Sequence, residues 1–236
     1  MRFINSIKNF ILDVIFPVEC LGCGKEGSAL CDDCFEKIQF SQNQICPICY
    51  KSSQSGKLCA ECAGKSFLDR LVVCANYNNA IIQKSIKDLK YRYIEGLAIQ
   101  LGKLMAKYVK IGAPDLDLSS FLITYVPLHK KRYLERGFNQ SQLIAGSFCQ
   151  HLSMQKPIDI LGRKRYTINQ ASLKKKDRLE NIKDAFICLK PDLAKGRSII
   201  IIDDVFTTGA TMQECAKVLK QNGAKEVIGL AVAHEN

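Results

Sequence analysis

IIIIDDVFTTGAT, residues 199–211, is the stretch on which the fold turns. Four consecutive isoleucines, Ile199 to Ile202, leave no polar face, which predicts a strand buried on both sides as at the centre of a parallel sheet. Asp203 and Asp204 follow at its carboxyl end, where open α/β sheets bind their ligands. Thr207, Thr208, Gly209, Ala210 and Thr211 then bring hydroxyls and closely approachable backbone N–H groups to the start of a helix, a chemistry suited to phosphate. Two adjacent carboxylates beside such a cradle match two vicinal sugar hydroxyls, so the stretch describes a phosphorylated sugar as ligand. An ordinary strand, turn and helix would explain the isoleucines but not the paired acids and the threonine-rich turn.

Around this segment, short β-branched runs alternate with helical periodicity from residue 70 onward, the pattern of a parallel sheet covered by helices. Strands are expected at 71–77, 122–126, 198–203 and 226–233, and helices at 79–90, 94–110, 139–152 and 211–222. The fold class is therefore α/β, with a smaller unit of different character in front of it.

That unit carries the strongest local signal in the chain. Eight of the twelve cysteines form four C-x2-C pairs: Cys20 and Cys23, Cys31 and Cys34, Cys46 and Cys49, Cys59 and Cys62. Such a turn converges two thiolates on one tetrahedral ion at about 2.3 Å each, and two turns close a structural zinc site. Four pairs supply two zinc sites with no position open to substrate. Consecutive pairing, giving two small ribbons, is favoured over crossed pairing, although spacing permits both. Redox dithiols are the competing reading, but a short segment this poor in other apolar residues needs metal to fold. The isolated Cys74, Cys149, Cys188 and Cys215 read as small buried hydrophobes.

At 236 residues, with 47% hydrophobic and 24% charged residues, the composition is that of a soluble globular protein. The expected domains are an amphipathic helix over 1–17, a zinc ribbon over 18–66 and the α/β unit over 67–236. Asn5, Lys8, Asn9 and Asp13 interrupt the first apolar stretch, so neither an export signal nor a transmembrane segment is expected, and the cysteines point to a reducing cytoplasm. The net charge of +11 is uneven: residues 1–66 hold seven basic and seven acidic side chains, which leaves the whole excess on the second unit. Such a field suits a polyanion, either nucleic acid or a pyrophosphate ester.

The thirteen residues at 199–211 resemble the phosphoribosyl-pyrophosphate signature of type I phosphoribosyltransferases. The zinc pairs, VPLH at 126–129, RGFNQ at 136–140 and NQASLKKKDRLENIKDAF at 169–186 occur in the same order in the ComF family of competence proteins, which this chain resembles over nearly its full length. The resemblance implies a type I phosphoribosyltransferase-like sheet behind a zinc ribbon, and a part in DNA uptake and transformation. It also implies that Asp203 and Asp204 orient the ribose of phosphoribosyl pyrophosphate with Mg2+, and that Thr207 to Thr211 hold its 5′-phosphate. Val126, Pro127, Leu128, His129 and Lys130 would form the pyrophosphate loop, with Arg132 and Arg136 adding charge and His129 serving equally well as a helix cap. Residues 163–178, with seven basic side chains against one acid, would be the loop that closes over the ligand or a groove for a nucleic-acid backbone.

Purine-salvage members of that superfamily carry an Asp where Thr207 stands, so purine salvage is disfavoured here. Whether the chain turns its ligand over stays open at this point; an active phosphoribosyltransferase with an unknown acceptor is the alternative to a binding protein that handles single-stranded DNA beside other DNA-uptake proteins. Tyr91 and Tyr93 flanking Arg92, and Tyr133 between Arg132 and Arg136, could stack bases, but half-buried structural aromatics are the favoured reading.

Overall fold

The computed structural model describes residues 18–167 and 181–235. The helix expected over 1–17 and most of the basic 163–178 segment lie outside them. Within the described residues the chain runs through α1 (Asp32–Glu36), β1 (Arg70–Asn76), α2 (Ala80–Tyr91), α3 (Gly96–Gly112), β2 (Phe121–Tyr125), α4 (Lys130–Arg136), α5 (Gln140–His151), β3 (Leu161–Arg163), β4 (Phe186–Cys188), α6 (Pro191–Ala194), β5 (Ser198–Phe206), α7 (Ala210–Gln221) and β6 (Glu226–His234).

The four expected strands form one parallel sheet in the order β1-β6-β5-β2. β5 is paired on both sides, and Ile199, Ile200, Ile201 and Ile202 are all fully buried. Because side chains alternate across a strand, Ile200 and Ile202 join one core with Leu101 and Met105 of α3 and Ile144 and Phe148 of α5. Ile199 and Ile201 join the opposite core with Met212, Cys215 and Leu219 of α7. Helices on both faces are what a strand with no polar side requires.

Three expectations need correction. β5 continues past residue 203 to Phe206, since Val205 and Phe206 stay in register with Ala233 and His234 of β6, so both acids lie within the strand. Arg163 does not open a loop; it pairs with Phe186 in the short antiparallel β3-β4 ribbon. Cys188, at the end of β4, is only partly buried, whereas Cys74, Cys149 and Cys215 are buried as expected.

The cysteine-rich segment is also less poor in core than its sequence suggests. Leu30, Phe35 and Ile38 are buried in the same cluster as α3, and Lys103 and Lys107 of α3 lie over the Phe35 ring while pairing with Asp32 and Glu36. Residues 40–57 run along the free edge of β1. Phe40 bridges to Ala75 and Lys57 to Arg70, both antiparallel, and Ser41 donates its N–H to the Cys74 carbonyl. Between these contacts the Gln44 side chain acts as a strand residue would: its Nε2 donates to the Val73 carbonyl at 2.9 Å and its Oε1 accepts from the Val73 N–H at 2.8 Å. The unpaired edge of the sheet is thereby satisfied by the ribbon segment.

Gly56 makes that approach possible. It has a φ of +77°, and a Cβ there would stand 1.7 Å from the Leu71 carbonyl oxygen. Gly56→Ala should therefore cost at least about 2 kcal/mol of stability, from backbone strain and displacement of the segment together. Urea unfolding of the variant beside wild type measures this, and an unchanged midpoint would show that the close contact at β1 is dispensable.

Candidate ligand site and zinc centres

The sulfur atoms of Cys20, Cys23, Cys31 and Cys34 lie within 4.8 Å of one another, as do those of Cys46, Cys49, Cys59 and Cys62. Consecutive pairing is therefore the arrangement adopted. Neighbouring sulfurs stand 3.5 to 3.7 Å apart, close to the ~3.8 Å edge of a tetrahedron with zinc–sulfur bonds of about 2.3 Å. The N–H groups of Gly22 and Cys31 point at the Cys20 sulfur at 3.4 and 3.3 Å, the outer contacts that orient a thiolate. Burial, and then the neighbouring thiols, push Cys34 and Cys62 up to about 12, so four thiolates in either cluster require a cation. These are two closed structural zinc sites.

At the carboxyl end of β5 the two acids have different partners. Asp203 Oδ1 accepts from the Ser141 hydroxyl at 2.8 Å and from the Asp204 N–H at 3.0 Å. Asp204 is paired with the Lys90 ammonium at 2.5 Å. Both carboxylates are buried. Burial, and then the charge of Asp204, push the Asp203 carboxyl up to about 7, against the pull of Lys90 and Ser141. Burial alone would lower Lys90, but Asp204 outweighs it and leaves the ammonium above its usual range.

The turn after β5 passes from Thr207 and Thr208 through Gly209, at φ +68°, into α7. A side chain at Gly209 would strike the Phe206 ring at 2.6 Å, so the loop lies flat on that ring. Asp203, Thr207, Gly209, Ala210 and Thr211 line a small cavity of about 40 Å³. The Thr208 hydroxyl oxygen is buried with no hydrogen-bonding partner. The first N–H groups of α7 also lack intrahelical acceptors, as in every helix. An orphaned hydroxyl beside a helix N-terminus and a buried carboxylate fits a phosphate group carried by a hydroxylated sugar.

The segment after β2 is held against this end of the sheet by Val126, whose N–H donates to Ile202 and whose carbonyl accepts from Asn139 Nδ2. His129 caps α4 through Nδ1, which accepts from the Lys131 N–H at 3.2 Å. Lys130 is the first residue of α4 rather than part of a loop, which places Arg132 and Arg136 on successive turns of that helix. Lys90, Tyr91, Tyr93, Arg132, Arg136 and Tyr166 surround a cleft of about 420 Å³. Tyr91 is 57% exposed, Tyr93 52% and Tyr133 45%, so each is about half-buried with part of its ring open to solvent, and Tyr93 packs edge-on against Phe138. Arg132 reaches the Thr167 carbonyl and, with Lys131, lies over the Tyr166 ring.

Among the expected site residues, the fold brings Asp203, Asp204 and 207–211 together and sets 126–130, Arg132 and Arg136 beside them. Sequence reasoning missed Lys90, Ser141 and Tyr166. Lys90 and Ser141 sit in helices remote in sequence from the acids, with no local spacing to mark them.

Residues 11–75 match the model of the double zinc ribbon domain, and residues 140–236 match the phosphoribosyl transferase domain. A DNA utilization protein, YhgH of Shigella flexneri, is 32% identical over 216 residues, covering 84% of this chain and 93% of its own. The chain belongs to the ComF family. Further ComF relatives are competence protein F of Haemophilus influenzae, 26% identical over 84% of this chain and 93% of its own, and competence protein ComFC of Bacillus subtilis, 27% identical over 84% and 81%.

Two outcomes follow for this ComF-family chain. Chelation should remove two zinc ions per chain and melt the cysteine-rich segment, as read by zinc release together with circular dichroism; retention of native structure without zinc would show the metal to be unnecessary for folding. The second concerns Asp203. A folded pKa above the unfolded value near 3.8 means that the native state holds the extra proton, so this group's contribution falls as pH rises from about 4 to 7. Asp203→Asn removes that loss. The variant should match wild type near pH 4 and exceed it at pH 8 by about 1–3 kcal/mol in urea unfolding. An equal difference at both pH values would show that Asp203 titrates normally.

Proposed function

We propose that this chain binds Mg-phosphoribosyl pyrophosphate at the carboxyl end of β5 and acts in DNA uptake, with single-stranded DNA lying along the adjoining basic cleft. The observation that carries the reading is the juxtaposition of two buried carboxylates with a turn whose Thr208 hydroxyl is buried and unpartnered. A buried acid held above its usual range is destabilising unless a ligand uses it, and stored cost of this kind gathers at functional sites. In this reading Asp203 and Asp204 take the ribose hydroxyls, Thr207 to Thr211 take the 5′-phosphate, and residues 126–130 with Arg132 and Arg136 face the pyrophosphate. Mg2+ would neutralise pyrophosphate charge.

The role in DNA uptake is drawn from the relatives named for DNA utilization and competence. The exposed tyrosines beside Lys90, Arg132 and Arg136 support it, because aromatic faces next to cations suit bases and phosphates of a single strand. Among the described residues no helix is long and apolar enough to cross a membrane, and cysteines gathered as two metal-holding quartets fit a reducing, cytoplasmic setting. Turnover to an acceptor is the second reading, favoured by the same cleft, whose 420 Å³ would admit a planar group between the tyrosines.

One calorimetric experiment addresses the binding claims. Wild type should bind phosphoribosyl pyrophosphate only with Mg2+, and the double variant Asp203→Asn, Asp204→Asn should lose at least about 100-fold in affinity, the scale expected from removing two charge-assisted contacts. Equal binding by the double variant would place the site elsewhere. In a parallel titration with a single-stranded oligonucleotide, Arg132→Glu should weaken binding and flatten its salt dependence. An unchanged salt slope would remove α4 from the DNA surface.

A further inference from the structure

The second zinc ribbon sends one side chain into the ligand turn. Tyr50 follows Cys49 directly, and the knuckle sets its backbone: Cys46 accepts the Tyr50 N–H at 3.0 Å and donates to the Lys51 carbonyl at 2.9 Å. Tyr50 is held at φ +61°, a conformation uncommon for a residue with a side chain. From there its hydroxyl donates to the Thr208 carbonyl at 3.0 Å, across 158 residues of sequence. Its ring packs edge-on to Phe206 at 6.3 Å and stacks on His234 at 5.9 Å. Phe206 is the ring on which Gly209 lies.

The peptide joining Thr208 to Gly209 is planar and trans, so its carbonyl and its N–H point in opposite directions. Fixing the Thr208 carbonyl toward the ribbon therefore fixes the Gly209 N–H away from it, on the side of the loop opposite the ribbon. Gly209, at φ +68°, has no side chain of its own to hold that orientation. The restraint on a loop that must present its amides to an anion thus comes from outside the phosphoribosyltransferase-like unit.

We infer that Tyr50 is a positioning residue: the second zinc ribbon uses it to preset the Thr207 to Thr211 loop for a phosphate ester, so that ligand affinity depends on a zinc knuckle which never touches the ligand. This rests on the reading of the loop as a phosphoribosyl-pyrophosphate site. It gives the ribbon a task beyond covering β1, since a segment needed only to cover an edge has no use for a hydrogen bond to the ligand turn.

The test uses the full zinc-loaded chain and two variants. Tyr50→Phe keeps the ring stack and removes the hydroxyl, whereas Tyr50→Ala removes both. Zinc content should stay at two per chain in each. Magnesium-dependent affinity for phosphoribosyl pyrophosphate should fall about 5-fold in Tyr50→Phe, the worth of one hydrogen bond, and further in Tyr50→Ala. Amide hydrogen exchange at residues 208–210 of the ligand-free protein should quicken in the same order, while exchange in the core of β5 stays unchanged. Wild-type exchange at these amides in Tyr50→Phe would overturn the inference, whatever the affinities. If wild type itself bound no phosphoribosyl pyrophosphate, the ligand reading would fail, and the exchange data would still decide whether Tyr50 sets the loop.

Discussion

A run of four isoleucines that cannot tolerate water on either face is the constraint from which the rest of the architecture follows. Each of these side chains contributes about 1.5–3 kcal/mol by leaving water, and together they oblige β5 to lie between two strands and two layers of helix. That position carries a consequence at its carboxyl end. Asp203 and Asp204 emerge where β5 is still flanked by β6, so they are desolvated whether or not a ligand is present. The stabilisation of the strand offsets the cost of its acids, and Lys90 and Ser141 reduce that cost by pairing with one carboxylate each.

Much of this was legible because the deciding signals are local. A strand buried on both faces writes a continuous apolar run, and a zinc knuckle needs two ligands within one turn, so the sheet and the two metal centres could both be read from neighbours in sequence. What escaped reading depends on distant contacts. Gln44 is an ordinary polar residue until β1 is beside it, Lys90 is one of many helical lysines until β5 ends opposite it, and Tyr50 looks like a ribbon aromatic until the Thr208 carbonyl is in place. Tyr91, Tyr93 and Tyr133 were legible as half-buried aromatics beside arginines; which part of each ring stays open had to be seen. The end of β5 was misplaced because nothing polar in a strand announces that its neighbour still pairs with it.

Charge is divided along the same lines as structure. The ribbon's seven basic and seven acidic side chains, counted with the N-terminal segment, cancel, and two of the acids are spent on α3: Asp32 on Lys103 and Glu36 on Lys107. Three cations of the remaining chain, Arg132, Arg136 and Lys90, line the cleft together with Glu135, and Lys90 reaches Asp204 at the end of the sheet. A polyanion approaching this molecule is drawn by the field of one unit while meeting a neutral flank on the other.

The cover that residues 40–57 provide for β1 ties folding quality to metal supply. Arg70–Asn76 is a short strand of sequence RLVVCAN whose outer hydrogen-bonding row is answered by Ser41, Gln44 and the bridges at Phe40 and Lys57. A chain synthesised when zinc is scarce would leave that row open, presenting an apolar template to any other chain with an unpaired strand. Metal starvation would then show as aggregation and a demand on chaperones, a cost separate from any effect on the ligand turn.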